Sequence, residues 1–405
     1  MENAEKNRPK AIVLGMTPNG LGVIRSLGRQ KVPVLAISSH KSPTMFSRYC
    51  RSVVSPDVEI EEDRFLEFII RIGKGLDQPG ILFPTGDAYV TFVSENRDVL
   101  SHYFKFAMPN KETMRQLLNK KPQYAFAKKL GIPLPKTFYP QNHNELREIS
   151  EVIDYPAVIK ALCSINWRRS FPVKKVLFVG SSNELLKAYR VIDNLNIETM
   201  IQEVIQGEDN KHYKICTYMN KKSEPLLIFT LKKLRNYPCH FGVGSVVESC
   251  KLPEVSDLGL RFLQGVGYFG IGSIEFKKDE RDNQLKMIEL NSRLWLQNSL
   301  SERCGMNFPY TMYLDLIGER VDKQYTFIEG IKWVSMRLDY ASFRGYHAEH
   351  ELSYSEWWKS LRGKKIFEIF AWDDPVPFFY STGLGPIIMQ KFLKKITKIF
   401  RYKMR

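Results

Sequence analysis

Short apolar runs alternate with amphipathic stretches along the first hundred residues. Ala11-Ile12-Val13-Leu14 is followed by a glycine turn from Gly15 to Gly22, and then by Val23, Ile24 and Leu27 at helical spacing. A second strand is predicted over residues 32–37, and a third runs through Gly80-Ile81-Leu82-Phe83 into the loop Pro84-Thr85-Gly86-Asp87. This is a βαβ beginning, the mark of a parallel sheet. A glycine turn at a helix start can cradle phosphate, but the G-x-G-x-x-G spacing is absent, so close helix–strand packing is the preferred reading. Loops at the carboxyl ends of parallel strands line ligand crevices. Thr85 and Asp87 are therefore candidates to touch a second substrate, with helix capping by Asp87 the competing reading.

A polar helical stretch follows over about 111–131, ended by Gly131-Ile132-Pro133-Leu134-Pro135. A helix from about 146 leads to the strand 157–160. Strands and short turns dominate 174–248, helical spacing returns near 256–266, and two strands are predicted at 272–277 and 285–290. The aromatic-rich region after 332 shows no clear period. In the last stretch Met389, Phe392, Leu393, Ile396, Ile399 and Phe400 fall at helical spacing, with Lys391, Lys394, Lys395, Lys398 and Arg401 between them. Such a helix suits an anionic membrane surface; packing on the body with a solvated basic face is the alternative.

Composition narrows the class. A chain of 405 residues with 43% hydrophobic residues can bury two or three cores. The formal net charge of +16 points to anionic partners: nucleotides, anionic lipid or nucleic acid. No nucleic-acid recognition motif supports the last. The six cysteines form no C-x-x-C pair and read as reduced thiols, which suggests the cytosol. The polar start Met1-Glu2-Asn3-Ala4 is not a secretory signal. No apolar run reaches about 18 residues, so no membrane span is expected.

The chemistry concentrates on two strands. In Glu289-Leu290-Asn291-Ser292-Arg293 the acid, the amide and the arginine alternate, so a strand points them to one face, with Ile288 and Leu290 on the other. With Glu275 on a neighbouring strand they form a hard-oxygen set suited to Mg²⁺, and Arg293 can fork onto a phosphate. Upstream, Lys160 ends an apolar strand and needs a partner for its charge. Lys120 follows Asn119. Gln202-Glu203-Val204 leads into a glycine turn carrying Asp209, and Lys232-Lys233-Leu234-Arg235 is a cationic cluster.

The order Lys120, Lys160, Gln202-Glu203, Arg235, Glu275, Glu289-x-Asn291-x-Arg293 resembles that of ATP-grasp enzymes from about residue 10 to about 320. The match is to the carboxylate–amine ligase branch, near D-aspartate ligases and the carbamoyl-phosphate-synthase-like domain. The resemblance implies an α/β and α+β fold: an N-terminal Rossmann-like pre-ATP-grasp domain, a small central α+β domain and a C-terminal ATP-grasp domain. The expected bounds are 1–110 for the first domain, 111–205 and 206–330 for the two ATP-grasp subdomains, 331–386 for an aromatic-rich extension and 387–405 for the basic tail.

By the same resemblance Lys120 and Lys160 contact ATP phosphates. Gln202, Glu203 and Val204 line the adenine pocket, and Asp209 takes the ribose. Glu275, Glu289 and Asn291 hold two Mg²⁺ ions, and Arg235 and Arg293 stabilise the transferring phosphoryl group. The product is an amide made through an acyl-phosphate, with ADP and phosphate released. The substrates are small or precursor-linked carboxylates and amines, a homodimer is among the expected partners, and the location is cytoplasmic or peripheral at the membrane's inner face. Two features depart from the family: Asn119 stands where Asp is common, and residues 161–170 lack the glycine-rich loop, with Arg168 and Arg169 there as substitute phosphate contacts. Two readings compete, an ATP-grasp carboxylase or carbamoyl-phosphate-type enzyme, and a non-catalytic basic membrane- or nucleic-acid-binding protein of degenerate ATP-grasp fold.

Overall fold

A computed structural model describes residues 8–163, 167, 170–171, 175–195 and 197–384. Arg168, Arg169 and the tail 387–405 lie outside the described residues. The first body is a five-stranded sheet of β1 (Ala11–Leu14), β2 (Val34–Ser38), β3 (Arg51–Val54), β4 (Gly80–Pro84) and β5 (Phe104–Lys105), in the order β3-β2-β1-β4-β5. All its pairs are parallel, as the βαβ pattern predicted. The central pair β1 and β4 is buried along nearly its whole length, which is why it reads as unbroken apolar runs. The second strand begins at Val34, two residues later than expected, because Lys31 takes a left-handed turn (φ 59°) before it.

The glycine turn proves to be a packing device. The helix Pro18–Arg29 crosses the third body so closely that a Cβ on Gly22 would sit 2.2 Å from Asn298 Oδ1. Asn19 Nδ2 donates to Thr85 O (2.7 Å) and Leu294 O (2.8 Å), and Asn298 Nδ2 donates to Asn19 Oδ1 (2.7 Å). These buried amides bolt the first body to the third.

The central body is an antiparallel sheet of β6 (Thr137–Phe138), β7 (Ala157–Ala161), β8 (Leu177–Val179) and β9 (Thr199–Glu203), ordered β6-β9-β7-β8. Helices His143–Val152 and Ser182–Asp193 pack Leu146, Ile149, Leu185 and Ile192 against Ile159 and Ile201. The helical stretch 111–131 is two helices, Lys111–Leu118 and Lys120–Lys129, broken at Asn119, whose side chain accepts from Lys121 N (2.9 Å). Leu117 and Ala127 join the core of Ile274, Met287 and Leu290. This pair therefore packs on the third body, and its second helix also meets the central body, where Tyr124 clusters with Leu162 and Met200.

The third body is a seven-stranded sheet: β10 (His212–Met219), β11 (Pro225–Tyr237), β12 (Val243–Ser249), β13 (Gly270–Lys278), β14 (Leu285–Asn291), β15 (Lys332–Val334) and β16 (Lys365–Phe367), ordered β14-β13-β10-β11-β12-β15-β16. The segment 331–386, expected as an extension, supplies the last two strands and the helix Met336–Ala348. That helix brings the fully buried Asp339 to Arg235, which forks onto it through Nε (2.7 Å) and Nη2 (3.1 Å). Asp374 ties the chain back to the first body, accepting from Arg25 Nε (2.9 Å), Ser47 Oγ (2.8 Å) and Arg48 N (3.0 Å). Among the described residues, no helix is long and apolar enough to cross a membrane.

Candidate active site

The three bodies meet around a cavity of about 510 Å³, a size suited to a nucleotide-class ligand. Its floor is the β10–β13–β14 edge of the third sheet. Lys214 on β10, Glu275 on β13 and Glu289 on β14 lie in register across three strands, so their side chains share a face. Glu275 accepts from Lys214 and Lys233, each at 2.8 Å. Burial pushes the Glu275 carboxyl up, but the two lysines prevail and hold it well below the usual range.

Glu289 sits 3.9 Å from Lys120 Nζ, and Asn291 Nδ2 donates to its Oε1 (3.3 Å). Burial raises the Glu289 carboxyl, yet its cationic neighbours, Lys120 first, hold it below the ordinary value. The alternation that aligned Glu289, Asn291 and Arg293 therefore holds in space. Ile288 departs from it: the β13–β14 register slips beside it, and its side chain lines the cavity instead of the opposite face.

The central body closes the cavity from above. Lys160 on β7 donates to Gln202 Oε1 (2.7 Å), and burial pushes its ammonium down to about 8, with Glu289 partly offsetting the effect. Lys175, exposed at the cavity mouth, also lines it. The first body supplies Asp87, which accepts from Arg293 Nε (2.5 Å). Thr85 spends its hydroxyl on Leu14 O (2.8 Å) and is buried, so of the two loop candidates Asp87 alone reaches the lining.

Among the described residues, six cations (Lys120, Lys160, Lys175, Lys214, Lys233, Arg293) thus face three carboxylates (Asp87, Glu275, Glu289). An excess of cations gathered in one cavity, two of them (Lys214 and Lys233) buried, is costly without a polyanion to share. Glu289 and Asn291 are adjacent oxygen donors that a hard cation accepts readily; Glu275 already spends both oxygens on lysines.

Several candidates lie elsewhere. Gln202, Glu203, Val204, Asp209 and Arg235 do not line the cavity. Gln202 donates to Tyr124 OH (3.0 Å) and Thr137 Oγ1 (2.8 Å). Glu203 accepts from Lys136 N (2.9 Å) and pairs with Arg281 (2.8 Å) and Lys286 (3.4 Å), clamping the central sheet to the β13–β14 hairpin. Val204 spends its amide on Pro156 O (3.1 Å). Arg235 is directed to Asp339 by a register slip in β11 between Lys233 and Arg235, which leaves Lys233, not Arg235, in the site.

Asp209 accepts from Tyr346 OH and from His240 N (2.8 Å), and lies 3.4 Å from His240 Nδ1. It supports the cavity wall through His240. Bonding to Asp209, and then to Glu349, raises the His240 imidazolium to about 9 against an opposing burial effect. A raised value stabilises the fold fully below about 6.5 and loses that contribution as pH rises through 9. His240→Asn should therefore cost about 1 kcal/mol at pH 6, after allowance for solvent screening, and nothing at pH 10. Denaturant melts at the two pH values check this; equal losses at both would contradict the assignment.

The site also holds residues not singled out as site candidates in the sequence: Lys175, Lys214, Lys233, His212 and His240. Burial first, and then Lys233 and Lys277, hold the His212 imidazole well below its usual value, so it is neutral at pH 7. It lies 3.2 Å from Asn236 Nδ2 through Nδ1.

No family model matches the chain. Among curated proteins it is 23% identical over 312 residues to the D-aspartate ligase of Enterococcus faecium, which covers 72% of this chain and 73% of that protein. Among solved structures it is similar to the L-amino acid ligase of Bacillus licheniformis (TM-score 0.59, 14% identity, 78% of this chain and 75% of that one). It is also similar to the biotin carboxylase domain dimer of the Hydrogenobacter thermophilus 2-oxoglutarate carboxylase, solved with MgADP, ADP and bicarbonate (TM-score 0.60, 16% identity, 77% and 70%).

Proposed function

Starting from the ATP-grasp fold that the chain shares with these structures, we propose that it is an ATP-dependent carboxylate–amine ligase that releases ADP and phosphate. The observation that carries this is the cavity itself, where, among the described residues, six cations outnumber three carboxylates around the Glu289–Asn291 oxygen pair. Lys120 and Lys160 hold the nucleotide's phosphates, and Lys214, Lys233 and Arg293 take up charge on the transferring phosphoryl group. Glu289 and Asn291 would hold Mg²⁺, which would offset phosphate charge; a second ion would require Glu275 to give up Lys214 or Lys233.

A substrate carboxylate oxygen attacks the γ-phosphorus and ADP leaves. The amine nitrogen attacks the acyl carbon, loses its proton, and phosphate leaves. No nucleophilic side chain is required; the protein positions the reactants and excludes water. The cationic excess suits an acidic carboxylate substrate, and the D-aspartate ligase relative makes aspartate the first to try. Substrate-dependent ADP release tests the reading. The similarity to the biotin carboxylase domain sustains a carboxylase as the second reading, separated by a strict requirement for bicarbonate. That similarity also brings a homodimer into view. A cytoplasmic place, peripheral at the membrane through the tail 387–405, completes the proposal.

Lys160 gives a pH signature. Its ammonium is half deprotonated near 8, and phosphate favours the charged form. Mg·ATP affinity should fall several-fold between pH 7.5 and 9.5, with proton uptake on binding in that window. Calorimetry in buffers of different ionisation heat measures both. Lys160→Arg should flatten the profile; an unchanged profile would remove Lys160 from the phosphate site.

A further inference from the structure

Beyond the active site, the segment after β16 builds an aromatic rim on the first body. The helix Val376–Ser381 lies against the turn Pro43–Phe46, with Tyr380 stacked on Phe46 at 3.7 Å between ring centroids and 12° between planes. Phe370 meets Trp372 edge-on at 4.8 Å and Phe378 at 5.3 Å. The rim is anchored from beneath. Asp374 is buried against Arg25, Ser47 and Arg48, and Asp373 pairs with Arg29 (2.8 Å) and accepts from Tyr49 OH (2.8 Å).

On so firm a base, Trp372 nevertheless stands 89% exposed, and on the same segment and the turn it packs against Val376 is 39% and Phe46 45% exposed. Apolar rings held rigidly outward mark an interaction surface. Leu384, 48% exposed, follows the helix, and residues 385–405 then carry seven Lys and Arg and no acid, interleaved with Ile, Phe, Leu and Met. Tryptophan favours the headgroup level of a bilayer, and a basic run seeks anionic headgroups. Two weak signals, adjacent in sequence, are what stable peripheral attachment takes.

We propose that the rim centred on Trp372, acting with the basic segment after it, docks the folded body on an anionic lipid bilayer. The observations are independent of the ligase reading. The test uses the full chain with vesicles of phosphatidylcholine and phosphatidylglycerol at about 7:3, phosphatidylcholine vesicles as control, and Trp372→Ala and Val376→Ser as variants. Both positions are exposed, so thermal melts should match the wild type.

Binding to the anionic vesicles alone is expected, weakening with salt. Trp372→Ala should lower partitioning by roughly tenfold, and brominated lipid should quench wild-type fluorescence more than that of Trp372→Ala. Substrate-dependent ADP release should be equal in all three proteins, so failure of docking leaves the ligase reading untouched. Wild-type partitioning by Trp372→Ala would assign binding to the basic segment alone and overturn the proposal. So would absence of binding to either vesicle, or a lipid-free wild type that sediments as a dimer and becomes monomeric in Trp372→Ala.

Discussion

Glu289→Gln should lower substrate-dependent ADP release by roughly 10³-fold or more while leaving the fold intact. The change keeps the size of the side chain and removes its charge. Glu289 is the carboxylate nearest Lys120, at 3.9 Å, and the acceptor of the Asn291 amide. Without its charge, Mg²⁺ would lose its strongest ligand, because Glu275 is tied more closely to Lys214 and Lys233. The side chain remains 27% exposed at the cavity wall, so little packing is lost. Steady-state ADP release and a thermal melt together check both halves; activity within tenfold of the wild type would take Glu289 out of the metal site.

The largest effect on stability is expected away from the cavity. Asp339→Ala should cost about 3–5 kcal/mol, because it strands a buried guanidinium. Asp339 is fully buried and holds Arg235 by two bonds, and it also accepts from Trp357 Nε1 (2.8 Å). Replacing both members, as Arg235→Leu with Asp339→Leu, should destabilise less than the single change, since no lone charge remains. Equilibrium denaturation measures the difference. A loss below about 1 kcal/mol in Asp339→Ala would contradict the buried pair's role. It would also reopen Arg235 as a site residue.

The contrast between Arg235 and Glu289 explains what the sequence could reveal. At the end of β14 alternation is enough: Glu289 and Asn291, and Arg293 just beyond the strand, all reach the cavity. Where a strand slips register, it misleads. Beside the β11 slip, Lys233 enters the site and Arg235 turns to Asp339. Nothing in Lys232-Lys233-Leu234-Arg235 marks that slip.

Glu203 stands away from the cavity lining for another reason. Its partners Arg281 and Lys286 lie about eighty positions away, so sequence offers no view of the clamp. Lys214 shows the converse. In β10 it shares a face with His212 and Cys216, a spacing that marks no chemistry, and only pairing with Glu275 on β13 gives it a role. The parallel sheet of the first body was legible because its buried strands are unbroken apolar runs. The strands β15 and β16 were not, since three residues each are too few to show a period.

The most direct measurement is ADP release from the purified protein with Mg·ATP, scanned over acidic amino acids and other small carboxylates paired with amines, with Glu289→Gln alongside. ADP release that requires both substrates, tracks amide formation and vanishes in Glu289→Gln is the expected result. Failure to bind Mg·ATP, or ADP release that is indifferent to substrates and to Glu289→Gln, would contradict an ATP-dependent ligase.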